Sequence, residues 1–173
     1  SVHTADEKPA TNVQDALAIP RNEHSMPGKY PGKVAKATHP GCIVDGQPSE
    51  EITYGMLKSC MQHLTGKDNL KEAWLQFVGP DDVIGLKVNP IAGELLSTSH
   101  ALTQSIINQL EEAGISRDHI IIWDRREADL KESGFTSENY SGIRIVGTEY
   151  QDENGSYINA EGKFYGEERI DKE

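Results

Sequence analysis

Asp82-Val83-Ile84-Gly85-Leu86-Lys87-Val88-Asn89 and His119-Ile120-Ile121-Ile122-Trp123-Asp124-Arg125 are two apolar runs whose polar residues gather at their ends. Between them lie a loop and a helical pattern from Ser97-Thr98-Ser99-His100 to Gly114. This is the order of a βαβ unit. Both runs are too apolar for one-sided strands, as expected of parallel strands covered by helices on both faces. Ligand crevices in such sheets open beyond the carboxyl ends of the strands. That rule places Lys87, Asn89, Asp124 and Arg125 at the mouth of a candidate site.

Outward from this unit, the patterning predicts further elements. Upstream, Lys33 to Thr38 reads as a first strand, with Val34-Ala35-Lys36-Ala37 alternating apolar and polar. His39-Pro40-Gly41 and Asp45-Gly46-Gln47-Pro48 turn the chain. Ser49 is a good N-cap, with Glu50 and Glu51 in the first turn where the helix dipole favours acids. That helix carries Ile52, Met56, Leu57, Cys60, Met61 and Leu64 and stops at Gly66. A shorter one, Asp68 to Phe77, buries Leu70, Trp74 and Phe77. The helix of the βαβ unit shows Leu102, Ile106, Leu110 and Ala113 on one stripe, with Ile107 beside it.

Downstream, Arg126 to Ser133 reads as a short helix closed by Gly134, and Ile143 to Val146 as a fourth strand. Tyr157-Ile158 and Lys163-Phe164-Tyr165 read as a small hairpin around Glu161-Gly162. The order β-α-α-β-α-β-α-β implies an α/β fold with a mostly parallel sheet, right-handed crossovers and flanking helices. Residues 1–32, broken by Pro9, Pro20, Pro27, Gly28, Pro31 and Gly32, read as an extended polar arm with a short helix near Val13 to Ile19. The α/β domain is expected over 33–150 and an acidic hairpin or tail over 151–173.

The 173 residues suffice for one domain with a real core. A hydrophobic fraction of 36% and a mean hydropathy of −0.58 imply that part of the chain is exposed or extended. No run approaches the roughly 18 apolar residues that span a bilayer. The net charge of −11 argues against nucleic acid, which needs a basic footprint. Residues 149–173 hold eight acids and three bases, a solvated face or a partner-binding tail.

Two cysteines, Cys42 and Cys60, exclude a disulfide scaffold and a four-cysteine metal or cluster site made by this chain alone. Cys60 shares a helical face with Ile52, Met56 and Leu64 and reads as a buried thiol. Cys42 sits in a Pro-Gly loop, and a Cys42–Cys60 disulfide is an option in an oxidising compartment. With no Cys-x-x-Cys-His, covalent c-type haem is not expected. The chain begins at Ser1 with no signal peptide in view, which fits a processed product or an expressed fragment.

Each candidate site residue has a functional and an ordinary reading. Lys87 follows Gly85 in an apolar run, so its ammonium either faces an anion or snorkels at the strand end. Asn89 can donate and accept at the crevice, but Asn89-Pro90 is also common turn chemistry. Ser97, Thr98 and Ser99 open a helix whose free N–H groups attract anions, and capping alone also explains them. His100 adds a group that titrates or binds metal and is the candidate acid/base; a first-turn histidine is otherwise structural or exposed. Asp124 can hold magnesium, a hydroxyl or a cation, and Arg125 can clamp phosphate or carboxylate. The ordinary reading of that pair is an ion pair with a helix terminus.

The loop Ile91-Ala92-Gly93-Glu94 lacks the glycine fingerprints of dinucleotide and P-loop sites, and no Gly-x-Ser-x-Gly elbow occurs. The chain resembles the uncharacterised family called domain of unknown function 362. The matching blocks are His39-Pro40-Gly41 with Val44-Asp45-Gly46, Asp82 to Asn89, Leu96-Ser97-Thr98, and Ala113-Gly114-Ile115 leading into Ile121 to Arg125. They cover roughly Gly32 to Gly147. The resemblance implies an α/β domain of unsettled activity. It also implies twin-arginine export in folded form, hence a periplasmic or secreted location after signal removal, with the cytoplasm left open. Some members carry iron–sulfur domains, for which this chain lacks the cysteines. Members also continue past the fourth strand, which implies a sheet edge or crevice wall filled by a partner, by self-association or by further chain.

Two functions are expected from these residues. One is binding of a small anionic ligand, with or without a divalent metal, through Lys87, Asn89, Ser97, Thr98, Asp124 and Arg125, with His100 as acid/base if a reaction occurs. The other is a non-catalytic assembly or electron-transfer accessory that meets a protein partner or its own copy.

Overall fold

The computed structural model describes residues 17–21, 25, 27–91, 93–151 and 157–158. The chain divides into Ser1–Gly32 and Lys33–Glu173. In the first unit Leu17 and Ile19 are exposed, and Gly28 takes a left-handed backbone that closes a turn on the Ser25 carbonyl. Residues 13–16 of the predicted short helix lie outside the described residues.

The second unit opens with a two-residue antiparallel ladder, β1 (Ile43–Val44) and β2 (Gln47–Pro48). Helix α1 (Glu50–Thr65) follows, with Ser49 accepting from the Ile52 amide and Gly66 closing it at φ 69°. Helix α2 (Leu70–Trp74) is capped by Asn69. Strand β3 (Ile84–Lys87), helix α3 (His100–Ala113) and strand β4 (Ile120–Arg126) form the predicted βαβ unit. Ser99 caps α3 and Gly114 ends it at φ 101°. Helix α4 (Glu127–Glu132), strand β5 (Arg144–Gln151) and strand β6 (Tyr157–Ile158) complete the order.

The sheet runs β3-β4-β5-β6, with β3, β4 and β5 parallel. β6 turns back antiparallel on the end of β5 as a small C-terminal hairpin. The fold is therefore α/β. Lys163-Phe164-Tyr165, the other arm predicted for that hairpin, lies outside the described residues.

Two expectations are corrected. Lys33 to Thr38 forms no strand. Val34 is 89% exposed there, because local alternation does not by itself supply a neighbouring strand to pair with. The second correction concerns coverage. Ile84, Leu86, Ile120, Ile122 and Ile145 share one face by register and pack with Ile107, Leu110, Leu130 and Phe135 from α3, α4 and the loop after it. Helices α1 and α2 pack on α3, and Trp74 of α2 reaches the same core. The described helices α1 to α4 thus lie to one side of the sheet, where two-sided coverage was expected. Ile121, Trp123 and Val146 project to the other side and belong to neither core cluster.

The helical layers are tied by one buried polar residue. Gln109, fully buried in α3, accepts from the Trp74 indole N–H at 3.0 Å and donates to the Tyr54 carbonyl at 3.0 Å. Both of its polar ends are satisfied inside the core, as burial of an amide requires.

Candidate functional site at the carboxyl ends of the strands

Strand β3 stops at Lys87 because Asn89-Pro90 cannot continue the ladder. The chain is then pinned to the start of α3. The Asn89 amide donates to Oγ1 of Thr98 at 2.8 Å, and the Thr98 amide donates to the Asn89 carbonyl at 2.9 Å. The two predicted ligand residues are thus joined to each other. The Leu96 amide closes the intervening 3₁₀ turn on the Gly93 carbonyl, and the Ser97 amide donates to the same oxygen.

Lys87 sits opposite Trp123 in the parallel register, and its ammonium curls round the strand end. It lies 2.6 Å from Oδ1 of Asp124 and donates to the Val88 carbonyl at 2.7 Å. Its side chain stays 51% exposed while that of Asp124 is 7% exposed. One residue on, the Arg125 guanidinium Nε lies 2.7 Å from Oε2 of Glu149; the arginine side chain is 62% exposed and the glutamate 2%. Each strand-end cation is therefore held on its inner side by a buried carboxylate and still reaches solvent. The other oxygen of Glu149, Oε1, is buried with no hydrogen-bond partner among the described residues. Such an acceptor favours any donor that can reach it.

Glu149 was not singled out from the sequence, where it counted among the tail's acids. β5 extends to Gln151, five residues beyond the predicted end of its strand. Alternation through Ile145, Gly147 and Glu149 on one side was the available signal, masked by Gly147 and a charged residue. Gly147 is required there: a Cβ would lie 2.6 Å from the backbone nitrogen of Glu127, where α4 leaves β4.

His100 is placed differently. Nε2 lies 2.8 Å from the Ser133 carbonyl, and Nδ1 lies 2.5 Å from the Tyr140 hydroxyl. A carbonyl only accepts, so Nε2 carries the proton and Nδ1 accepts from the phenol. The ring also packs on Phe135, centroids 4.6 Å apart. Ser133 in turn donates to the Pro90 carbonyl at 2.5 Å. His100 thereby joins the start of α3 to the loop after α4, and both ring nitrogens are taken. Tyr140 is buried, and that burial pushes its phenol up to about 12, against the opposing effect of a Thr103 hydrogen bond.

Two concavities lie elsewhere. One of about 480 Å³ has Leu130, Phe135 and Ile145 among its walls, and one of about 290 Å³ lies between α1 and α3. Neither includes a strand-end residue named above. The charged groups converge at the strand ends, so that surface is the better candidate. Among the described residues no three His, Cys, Asp or Glu side chains gather as a metal-binding set. Asp124 and Glu149 are the acids paired with the strand-end cations. Cys42 and Cys60 are free thiols. No helix among the described residues is long and apolar enough to cross a membrane.

No family model matches the chain, and no curated protein or solved structure is significantly similar to it.

Proposed function

We propose that the protein binds a small anionic ligand at the carboxyl ends of β3 and β4, through Lys87 and Arg125. The observation that carries this reading is the paired arrangement itself. Two exposed cations stand at adjacent parallel strand ends, each oriented by a buried carboxylate at 2.6 or 2.7 Å. Pre-oriented cations lose less side-chain freedom when an anion arrives. Asn89 and Thr98 hold the neighbouring loop, and Asp124 is the anchor for a magnesium ion brought in with a phosphate. Membership of the domain of unknown function 362 family is part of the same proposal, since the resembling blocks supply these residues. His100 is assigned the positioning of the loop after α4 in this reading, not proton transfer.

Calorimetric titration with inorganic phosphate, adenosine triphosphate and citrate, each with and without magnesium, tests it. At least one should bind, and Lys87→Ala and Arg125→Ala should each weaken that binding about tenfold or more while circular dichroism stays native. Binding unchanged in both variants, or no binding by any of the three, rejects the reading.

A further inference from the structure

Lys87, Trp123 and Arg125 project from the same side of the sheet. Lys87 stands directly opposite Trp123 in the parallel register, and Arg125 lies two residues further along β4. Neighbouring strands are about 4.8 Å apart and two residues of a strand span about 6.6 Å, so both cations stand beside the indole. The acids that orient them, Asp124 and Glu149, are buried. What the two pairs expose beside the ring is therefore an ammonium and a guanidinium.

The chain's two tryptophans are used differently. Trp74 packs against both core clusters and spends its indole N–H on Gln109 at 3.0 Å. Trp123 is half-buried and belongs to neither cluster, and its N–H donates to nothing among the described residues. An indole sealed in a core finds an acceptor, as Trp74 does. The pyrrole edge of Trp123 instead leans over β3, where a Cβ on Gly85 would meet Nε1 at 3.0 Å and Cδ1 at 3.3 Å. Glycine at that position lets the large ring lie across to the neighbouring strand. The ring is thus held beside the strand-end cations without being consumed by the core.

We infer that the strand-end site takes a planar heteroaromatic ring carrying a phosphate, of which a nucleoside monophosphate is a simple form. The inference rests on the anion site proposed above and adds the uncharged part of its ligand. Lys87 and Arg125 hold the phosphate, and the ring stacks on Trp123. Stacking on an aromatic side chain is tolerant of which base is offered, so Trp123 selects for the presence of a ring and not for one base over another. Side-chain cations meet the phosphate here, so the site needs no glycine-rich loop of backbone N–H groups.

Two probes separate the ring from the anion: adenosine 5′-monophosphate, and ribose 5-phosphate, which lacks the base. The full chain labelled with 5-fluorotryptophan gives one ¹⁹F signal for each of its two tryptophans, and Trp123→Phe assigns them. In calorimetric titration the nucleotide should bind about tenfold more tightly than the sugar phosphate. It should shift the Trp123 signal saturably and leave that of Trp74 unmoved. Trp123→Leu should bring the nucleotide down to the affinity of ribose 5-phosphate without changing the latter, and Trp123→Tyr should keep most of the preference. Equal binding of the two probes, an equal loss of both in Trp123→Leu, or an unmoved Trp123 signal overturns the inference. If ribose 5-phosphate then still binds through Lys87 and Arg125, the anion site stands without it. If neither probe binds, or Lys87→Ala and Arg125→Ala leave both unchanged, the anion site itself is wrong and the inference falls with it.

Discussion

The Lys87 ammonium lies 2.6 Å from Oδ1 of Asp124, an exposed cation on a buried carboxylate that belongs to the next strand. The pair closes the carboxyl ends of β3 and β4 on each other. Its energy falls between those of exposed and buried ion pairs. A double-mutant cycle on Lys87→Met and Asp124→Asn, read by urea unfolding, should give a coupling of about 1–2 kcal/mol. Asp124→Asn should cost less than Lys87→Met, since the latter leaves a buried charge without its partner. A coupling indistinguishable from zero would show that the two are neighbours without being partners.

Gly147 and Gly85 make a contrasting pair of tests. Alanine at 147 drives its methyl against the backbone of Glu127, which cannot move without shifting α4. The expected loss is about 2–3 kcal/mol. At 85 the obstacle is the indole edge of Trp123, on the face free of described helices, where a side chain can rotate. That substitution should cost less than about 1 kcal/mol. Equal losses would mean that α4 does not press on β5 as described.

Gln109 should behave as a structural cross-link. Its removal takes away the acceptor of the Trp74 indole N–H and the second donor on the Tyr54 carbonyl, and leaves a cavity where the buried amide was. Gln109→Ala should therefore lower stability by about 2–4 kcal/mol. Gln104→Ala, on the outer side of the same helix, loses only a pair with Asn108 and should cost far less, on the order of 0.3 kcal/mol. Thermal unfolding of the two variants separates them.

Stability should fall at high pH through Tyr140. Its phenol is pushed up to about 12 by burial, above the ordinary value near 10 that it regains on unfolding. Below the unfolded value both states hold the proton and the stabilisation is complete. Between the two values the unfolded chain ionises first, so stability declines as pH rises towards 12. Tyr54 is also raised to about 12, by burial and the Glu112 carboxylate, but is more open to solvent and contributes less. Tyr140→Phe should flatten the alkaline limb of a urea-midpoint profile. An unchanged limb would assign the loss to other groups.

Much of the candidate site was legible because strand ends are marked by a change of chemistry. Lys87 and Asp124 each follow apolar residues, and a parallel crossover brings such ends together. Their direct pairing was not legible. It depends on the register that sets Lys87 against Trp123, and no local signal specifies that register. His100 shows the same limit. A first-turn histidine reads as an acid/base candidate until Ser133 and Tyr140, distant in sequence, are found on its two nitrogens. The first strand failed for a related reason, since alternation at Val34-Ala35-Lys36-Ala37 carries no information about whether a neighbour exists.

What the chain determined by itself is its sequence of elements: the capped helices ending at Gly66 and Gly114, the βαβ crossover, and the polar residues that close each strand. These follow from backbone periods of 3.6 and 2 and from the few residues that tolerate caps and turns, all of which act over a handful of neighbours. Tertiary structure alone decided that Arg125 leans on Glu149, that Gln109 is sealed between three helices, and that α1 to α4 gather on one side of the sheet. Those outcomes rest on contacts between residues tens of positions apart, and the same local pattern is compatible with several such arrangements until packing selects one.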